Sequence, residues 1–179
     1  GGTLEIDNDK ENTTTFHFVL KLEVPSKEST VQYLGKQKEN TDEIVSLDGR
    51  KILLAEDNLV SAEVVKRLLE LEGALVTVAL DGEECVKQYW QSQIEEYDFI
   101  LMDVHMPKMN GYEATRDIRA CGRQDALDIP IIAMTANAFD EDVQEAMDAG
   151  MDAHLAKPVQ LRALLKEVGK LLSKKTKQR

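Results

Sequence analysis

The sequence of 179 residues predicts an α/β fold: a doubly wound, five-stranded parallel sheet with helices on both faces, preceded by a β-hairpin. Two observations carry this prediction. From Lys51 onward, short apolar runs alternate with longer amphipathic stretches, which is the pattern of repeated βαβ units. Before Lys51, the chain has two runs of alternating polarity and then a polar stretch without a clear period.

The amino-terminal region is predicted to hold two strands and a linker. The runs TLEI (residues 3–6) and TFHFVLKLEV (residues 15–24) alternate apolar and polar residues, and the polar DNDKENTT separates them. Residues 25–49 are polar and charged, which is typical of a linker. We therefore assign a hairpin to residues 1–24, a linker to 25–49, a folded domain to 50–173 and a basic, frayed tail to 174–179.

The folded domain contains five predicted strands and five predicted helices. The strands are short apolar runs at residues 52–55, 75–79, 99–102, 131–134 and 153–156. The helices are predicted at residues 59–72, 82–93, 111–120, 140–149 and 161–172. Asn58 is suited to cap the first helix, and Gly73 is suited to end it in a left-handed conformation. One stripe of that helix recurs at steps of three and four residues and is predicted to face the sheet: Val60, Val64, Leu68 and Leu71.

Composition argues against several classes of function. The formal net charge of -11 disfavours binding to nucleic acid, because that mode needs a clustered basic face. No stretch approaches the roughly 18 apolar residues of a membrane helix, and the amino terminus lacks a signal pattern. We therefore expect no membrane contact from this fragment and a cytoplasmic location. Cys85 and Cys121 lack ligand spacing and are interpreted as reduced thiols.

Polar side chains follow four of the five predicted strands. Glu56 and Asp57 follow the first strand and Asp103 the third, while Thr135 and Lys157 follow the fourth and fifth. The carboxyl ends of parallel strands share one edge of a sheet, so these side chains are expected to converge there. Three clustered carboxylates repel one another and need a compensating cation.

Magnesium suits such a cluster, because this hard cation binds carboxylates, water and phosphate oxygens; Mn²⁺ is the alternative. Beside the metal, Asp103 would attack a phosphoryl group and carry it as an aspartyl phosphate. The ammonium of Lys157 and the hydroxyl of Thr135 would then hold the phosphoryl oxygens. The sequence therefore predicts a phosphate-accepting site at this edge.

Four segments resemble the marker motifs of response-regulator receiver domains, in the form found within hybrid sensor histidine kinases: LLAEDN, ILMDVHMPKMNGYEATRDIR, IIAMTANA and HLAKP. The resemblance covers about residues 50–172, and four motifs in order, each at a strand end, make a chance match improbable. It implies the flavodoxin-like fold with strand order 2-1-3-4-5.

The resemblance also implies roles for the matching positions. Glu56 and Asp57 match the metal-binding acidic pair, and Asp103 matches the phosphoacceptor. The backbone carbonyl of His105 matches a further metal ligand. Lys157, the residue before Pro158, matches the invariant lysine of the family.

A conformational switch is implied as well. Thr135 matches the switch hydroxyl, whose usual partner is a Tyr or Phe at the position of His154. The aromatic half of the switch is therefore expected to differ from that of the family. The bond between Lys157 and Pro158 is implied to be cis.

The amino-terminal segments GGTLEI and TTFHFVLKLEV look like the last two strands of a histidine kinase ATP-binding domain, although the turn lacks its usual Gly. The nucleotide-binding motifs that precede these strands in that family are not in the chain, so ATP binding is not expected. The resemblance thus implies part of a hybrid kinase, a transferase, whose receiver catalyses its own phosphorylation and dephosphorylation.

The leading interpretation is a receiver that takes a phosphoryl group from phosphohistidine onto Asp103. The implied partners are a histidine kinase dimerisation domain and a histidine phosphotransfer protein, with a homodimer as a further option because two orphan strands expose their edges. Two alternatives remain open: an interaction module that works without phosphorylation, and an aspartyl-nucleophile phosphatase. The phosphatase is disfavoured because His105 occupies the place of its second aspartate.

Overall fold

The structure of the protein, a computed structural model, describes residues 2–8, 14–20, 45–136 and 140–177. The chain divides into two compact units. In the first unit, β1 (Gly2–Asn8) pairs antiparallel with β2 (Thr14–Leu20). This pair agrees with the predicted hairpin, while residues 21–24 and most of the predicted linker lie outside the described residues.

The second unit alternates strands and helices. Its strands are β3 (Lys51–Ala55), β4 (Leu75–Ala79), β5 (Phe99–Asp103), β6 (Ile131–Thr135) and β7 (Ala153–Ala156). Its helices are α1 (Leu59–Leu71), α2 (Gly82–Gln91), α3 (Gly111–Ala120), α4 (Asp140–Asp148) and α5 (Leu161–Lys177). Apart from the end of α5, every boundary lies close to its predicted place.

The five strands form one parallel sheet in the order β4-β3-β5-β6-β7, which is the predicted order 2-1-3-4-5. From β3 the chain moves to β4 on one side of it. It then crosses back over β3 to β5 on the other side and continues in that direction to β6 and β7. The pairing brings the carboxyl ends level, since Ala55 lies opposite Met102 and Thr135 opposite Ala156. In folds of this kind a crevice lies beyond the carboxyl ends of the two strands where the direction reverses, which here are β3 and β5.

Two hydrophobic layers cover the sheet, because successive strand residues point to opposite faces. Ile52 and Leu54 pack with α1 and α5 on one face. Leu53 and Ala55 pack with α2, α3 and α4 on the other face. The central strand β5 is buried at all five positions, which explains its uninterrupted apolar character.

The prediction of which face of α1 is buried against the sheet is wrong. Val60, Val64 and Leu71 are 74%, 54% and 82% exposed. The buried stripe is Ala62, Val65 and Leu69, which recurs at the same steps of three and four residues. Periodicity fits both stripes, and close packing selects the one that begins with the small Ala62.

The caps of α1 agree with the prediction. Asn58 Oδ1 accepts hydrogen bonds from the backbone N–H groups of Val60 and Ser61, at 3.1 and 3.0 Å. Gly73 ends the helix with a φ of +87°, a left-handed conformation that favours glycine. The capped end next to Glu56 fixes where α1 leaves the functional edge of the sheet.

The domain extends further than predicted at both ends. Leu47, assigned to the linker, is buried in the core, and its carbonyl accepts a hydrogen bond from the N–H of Arg50. Helix α5 continues to Lys177, because SKKTK contains no Gly or Pro to stop it and lysines favour a helix carboxyl end. None of the helices in the described part of the chain is long and apolar enough to cross a membrane.

Arg123 links the loop between α3 and β6 to the carboxyl end of α2 through hydrogen bonds. Its guanidinium donates to the carbonyls of Tyr89, Ser92 and Gln93, where a helix leaves carbonyls without partners. It also forms an ion pair with the buried Asp125 at 2.9 Å. The hydrogen bond from Arg123 lowers the pKa of Asp125 well below its usual range, although burial acts in the opposite direction.

We expect Asp125→Asn to lower the free energy of unfolding by about 2 kcal/mol at pH 7. Because the folded-state pKa of Asp125 is lowered, its contribution is complete above the unfolded value of about 4 and is lost as the pH falls. Urea denaturation followed by circular dichroism from pH 7 to pH 3 should show the gap between wild type and variant closing. Asp128→Asn, in the same loop and exposed, is the control. A gap independent of pH would contradict the ion pair.

Candidate functional site at the carboxyl edge of the sheet

The predicted site residues converge at the carboxyl edge of the sheet. Glu56 and Asp57 follow β3, Asp103 ends β5, Thr135 ends β6, and Lys157 follows β7. Backbone hydrogen bonds link these strand ends, with the N–H of Glu56 donating to Ala79 and that of Lys157 to Thr135. Side chains far apart in sequence are therefore fixed beside one another by the sheet itself.

Lys157 bridges two buried carboxylates. Its Nζ lies 2.6 Å from Asp103 Oδ2 and 2.6 Å from Glu56 Oε2. Glu56 is 2% exposed and Asp103 is 4% exposed, so neither carboxylate is compensated by bulk water. One ammonium thus neutralises part of the charge of both acids.

The ionisation of Glu56 and Lys157 reflects this arrangement. Burial raises the pKa of Glu56, and the charge of Asp103 adds to the rise, while the hydrogen bond with Lys157 opposes it. Burial alone would lower the pKa of Lys157, but its hydrogen bonds to Asp103 and Glu56 outweigh this and raise it. Lys157 therefore keeps its positive charge at neutral pH.

The residues present fit a divalent cation. Glu56, Asp57 and Asp103 each offer a carboxylate oxygen, and these atoms lie within 4.8 Å of one another. Carboxylate oxygens are the ligands preferred by Mg²⁺. The hydroxyl of Thr135, at the end of the neighbouring strand β6, is buried and has no hydrogen-bond partner among the described residues. A buried donor without a partner is costly, so this hydroxyl suits an oxygen that a ligand supplies.

The loop after Asp103 is packed tightly onto it. The N–H of His105 donates to Asp103 Oδ1 at 3.2 Å, and the N–H of Gly111 donates to the carbonyl of Val104 at 3.1 Å. A Cβ at Gly111 would lie 2.2 Å from the carbonyl oxygen of Asp103. Glycine is therefore required at this position, because any side chain would push α3 away from Asp103.

His154 and Pro158 lie at the margin of the site. The Lys157–Pro158 peptide bond is cis. His154 is half-buried in β7 opposite Ala133, and it lines a groove of about 550 Å³ with residues of α4 and α5. The structure therefore places His154 beside this groove and outside the carboxylate cluster.

Sequence reasoning missed two residues near the site, Asp81 and Lys108. Asp81 lies two residues after β4, and it forms an ion pair with Lys108 in the loop that follows Asp103. The position of Asp81 just after the carboxyl end of β4 is the sequence signal for it. Lys108 gave no signal, since a lysine in a turn is usually a solvated charge.

Comparison with known proteins identifies the family. A family model described as the response regulator receiver domain matches residues 52–169. Probable histidine kinase 2 of Oryza sativa subsp. indica is 40% identical over 139 residues, which cover 72% of this chain and 13% of that protein. Peroxide stress-activated histidine kinase mak1 of Schizosaccharomyces pombe is 33% identical over 181 residues, which cover 88% of this chain and 11% of that protein. The chain thus spans only a small part of these curated relatives.

Two solved structures are similar to this fold. The receiver domain of sensor histidine kinase PA1611 from Pseudomonas aeruginosa, with a magnesium ion coordinated in its active-site cleft, has a TM-score of 0.63 and 38% identity. That similarity covers 70% of this chain and 98% of that one. The receiver domain of Ssk1 from Saccharomyces cerevisiae, crystallised with the histidine phosphotransfer signaling protein Ypd1, has a TM-score of 0.63 and 26% identity, covering 70% of this chain and 90% of that one.

The family model accounts for about two thirds of the chain, and the curated relatives that align over most of it are histidine kinases. The strand order agrees with the same conclusion. The chain belongs to the response regulator receiver family, the receiver domains of two-component histidine kinase signalling.

Proposed function

We propose that this receiver accepts a phosphoryl group on Asp103 from the phosphohistidine of another protein or domain. The observation that carries the proposal is the pairing of Asp103 with Lys157 at 2.6 Å, in a cluster with two further carboxylates. Asp103 ends the central strand at the sheet edge, so its carboxylate is held in one place for attack. Phosphoryl transfer depends chiefly on such positioning and on neutralisation of charge.

In the proposed step, a carboxylate oxygen of Asp103 forms a bond to phosphorus while the P–N bond of phosphohistidine breaks. The electron pair of that bond stays on the imidazole nitrogen, which takes up a proton, and the product is an acyl phosphate. The ammonium of Lys157 and the hydroxyl of Thr135 would each bind one phosphoryl oxygen. Water later cleaves the acyl phosphate, or a histidine of a downstream protein takes the group.

Glu56, Asp57, Asp103 and the backbone carbonyl of His105 are the proposed ligands of Mg²⁺, with Mn²⁺ as an alternative. When bound, the cation would neutralise charge on the phosphoryl oxygens. The magnesium ion in the cleft of the PA1611 receiver domain supports this assignment. Thr135 and His154 are the proposed switch residues, with Thr135 moving toward the phosphoryl group and His154 responding beside the groove.

The exposed face of α1 is the proposed contact for the phosphate donor. Val60 and Val64 line a cavity of about 180 Å³ together with Glu56, Lys157 and Pro158. Their apolar side chains are therefore adjacent to the site where transfer would occur, and a protein that covers them would exclude water from it. The complex of the Ssk1 receiver domain with Ypd1 supports a histidine phosphotransfer protein as the partner.

We also propose that the chain is part of a hybrid histidine kinase, with β1 and β2 as the end of its ATP-binding domain. The alignment with mak1 covers 88% of the chain, whereas residues 52–179 make up less than three quarters of it. The similarity therefore extends ahead of the receiver. A kinase dimerisation domain would be a second phosphohistidine donor, and the use of ATP by the whole kinase fits a cytoplasmic location. Pairing of the hairpin with a second copy of the chain along a strand edge is the proposed route to a homodimer.

Asp103→Asn should abolish the Mg²⁺-dependent gain of one phosphoryl group from acetyl phosphate, because an amide oxygen is a poor nucleophile. Intact-mass spectrometry of the whole chain measures the gain. Asp117→Asn, an exposed aspartate of α3, is the matched control and should react like wild type. Equal labelling of Asp103→Asn would refute the assignment, and an unreactive wild type would favour an interaction module that works without phosphorylation.

Val64→Glu should slow phosphoryl transfer from phosphorylated Ypd1 roughly tenfold, since it places a charge in the apolar contact. Labelling by acetyl phosphate should be unchanged, because a small donor does not need that contact. Leu71→Glu, on the same helix but outside the cavity, is the control. Rates of transfer followed with radiolabelled phosphate test this, and equal slowing with both donors would show damage to the site instead of lost docking.

A further inference from the structure

An ion pair anchors the loop that follows Asp103 to the start of α2. Lys108 Nζ donates to Asp81 Oδ2 at 2.5 Å, and Asp81 is only 6% exposed. The other oxygen, Asp81 Oδ1, accepts from the N–H of Glu84 at 2.8 Å and so caps α2. Both oxygens of Asp81 therefore have partners, and the Lys108 side chain that reaches one of them is 62% exposed.

A second contact reinforces the first. The N–H of Gly82 donates to the carbonyl of Met109 at 3.2 Å, and a Cβ at Gly82 would lie 2.4 Å from that oxygen. The loop is thus attached to the start of α2 through one side chain and one backbone group. The two contacts are neighbours in sequence, because Asp81 and Gly82 are adjacent in the chain and so are Lys108 and Met109.

The backbone of Lys108 shows that the loop is held in an unfavourable shape. Lys108 has a φ of +65°, in the left-handed region that residues other than glycine rarely adopt. Glycine or asparagine would relieve this conformation, but neither carries an ammonium that could reach Asp81. A lysine in this conformation lets its ammonium reach Asp81.

The anchored loop leads directly to the metal site. It begins at Asp103, and the N–H of His105, three residues before Lys108, donates to Asp103 Oδ1. Gly111 closes the other end of the loop by donating to the carbonyl of Val104. A shift at Lys108 would therefore be transmitted to the backbone of His105, a proposed cation ligand.

We propose that Asp81 and Lys108 are positioning residues, whose ion pair holds the loop from Val104 to Asn110 in the shape that binds the divalent cation. This inference rests on the cation site of the proposed function. Neither residue is assigned a contact with the phosphoryl group. Their role is to hold His105 and Asp103 in a fixed relation before the cation arrives.

The change in Mg²⁺ affinity distinguishes a positioning role from a long-range effect of charge, because the two explanations predict changes of different sign in the variants. Lys108→Met removes a positive charge and Asp81→Asn a negative one, so a field effect would tighten Mg²⁺ binding in the first and weaken it in the second. Positioning predicts weaker binding in both, by roughly tenfold. It also predicts that the double variant is no weaker than the weaker single variant, since the two residues act as one unit.

Isothermal titration calorimetry of the whole chain with MgCl₂, without a phosphodonor, measures these affinities. Lys108→Arg should stay close to wild type, because a guanidinium can also pair with Asp81. Lys87→Met, at an exposed lysine of α2, is the control for loss of one positive charge. Lys108→Met leaves the cap of α2 intact, and circular dichroism reports whether each variant is folded.

Opposite shifts in the two single variants, or additive losses in the double variant, would overturn the positioning role while leaving the cation site in place. A wild-type chain that binds no Mg²⁺ would instead refute the cation site of the proposed function. The two failures are therefore separate. Weaker binding in both single variants, with recovery in Lys108→Arg, is the result that we expect.

Discussion

The functional edge depends on one interaction, the contact of the Lys157 ammonium with two buried carboxylates. Glu56 follows β3 and Asp103 ends the neighbouring β5, and their proximity would be unfavourable without a cation, because burial deprives both of solvation. The pKa of Lys157 is raised by its contacts with the two acids, so the ammonium keeps its proton firmly. The pKa of Glu56 is raised by burial, so this acid loses its proton less readily than an exposed glutamate. A cluster with three carboxylates and one ammonium can accept a divalent cation, which would neutralise the remaining negative charge.

The sheet makes this arrangement possible. The reversal of chain direction between β3 and β5 opens the crevice, and level strand ends bring residues together that are up to about a hundred positions apart. The rest of the fold serves the same edge, since Gly111 allows α3 to approach Asp103 closely. The lack of a side chain at that glycine lets α3 begin directly against the end of β5, where Asp103 lies.

Sequence was sufficient for the architecture and for the convergence of polar residues at one sheet edge, because apolar runs and the polar residues after them are local patterns. It failed where the outcome depends on tertiary packing. The two stripes of α1 have the same period, and only contact with the sheet shows that Val65 is inside and Val64 outside. The pairing of Asp81 with Lys108 joins residues 27 positions apart through side chains, which no periodicity records. Helix α5 extends past its predicted end at residue 172, because the lysine-rich segment that follows contains no Gly or Pro to stop it.

The position of Lys157 after the last strand has a consequence for biosynthesis. A ribosome releases the two acids of β3 and β5 long before it releases the cation that neutralises them. Until β7 docks, the carboxylates lack the ammonium that pairs with two of them in the folded domain. A chain cut short before β7 therefore keeps all three carboxylates of the cluster but lacks the ammonium that pairs with two of them.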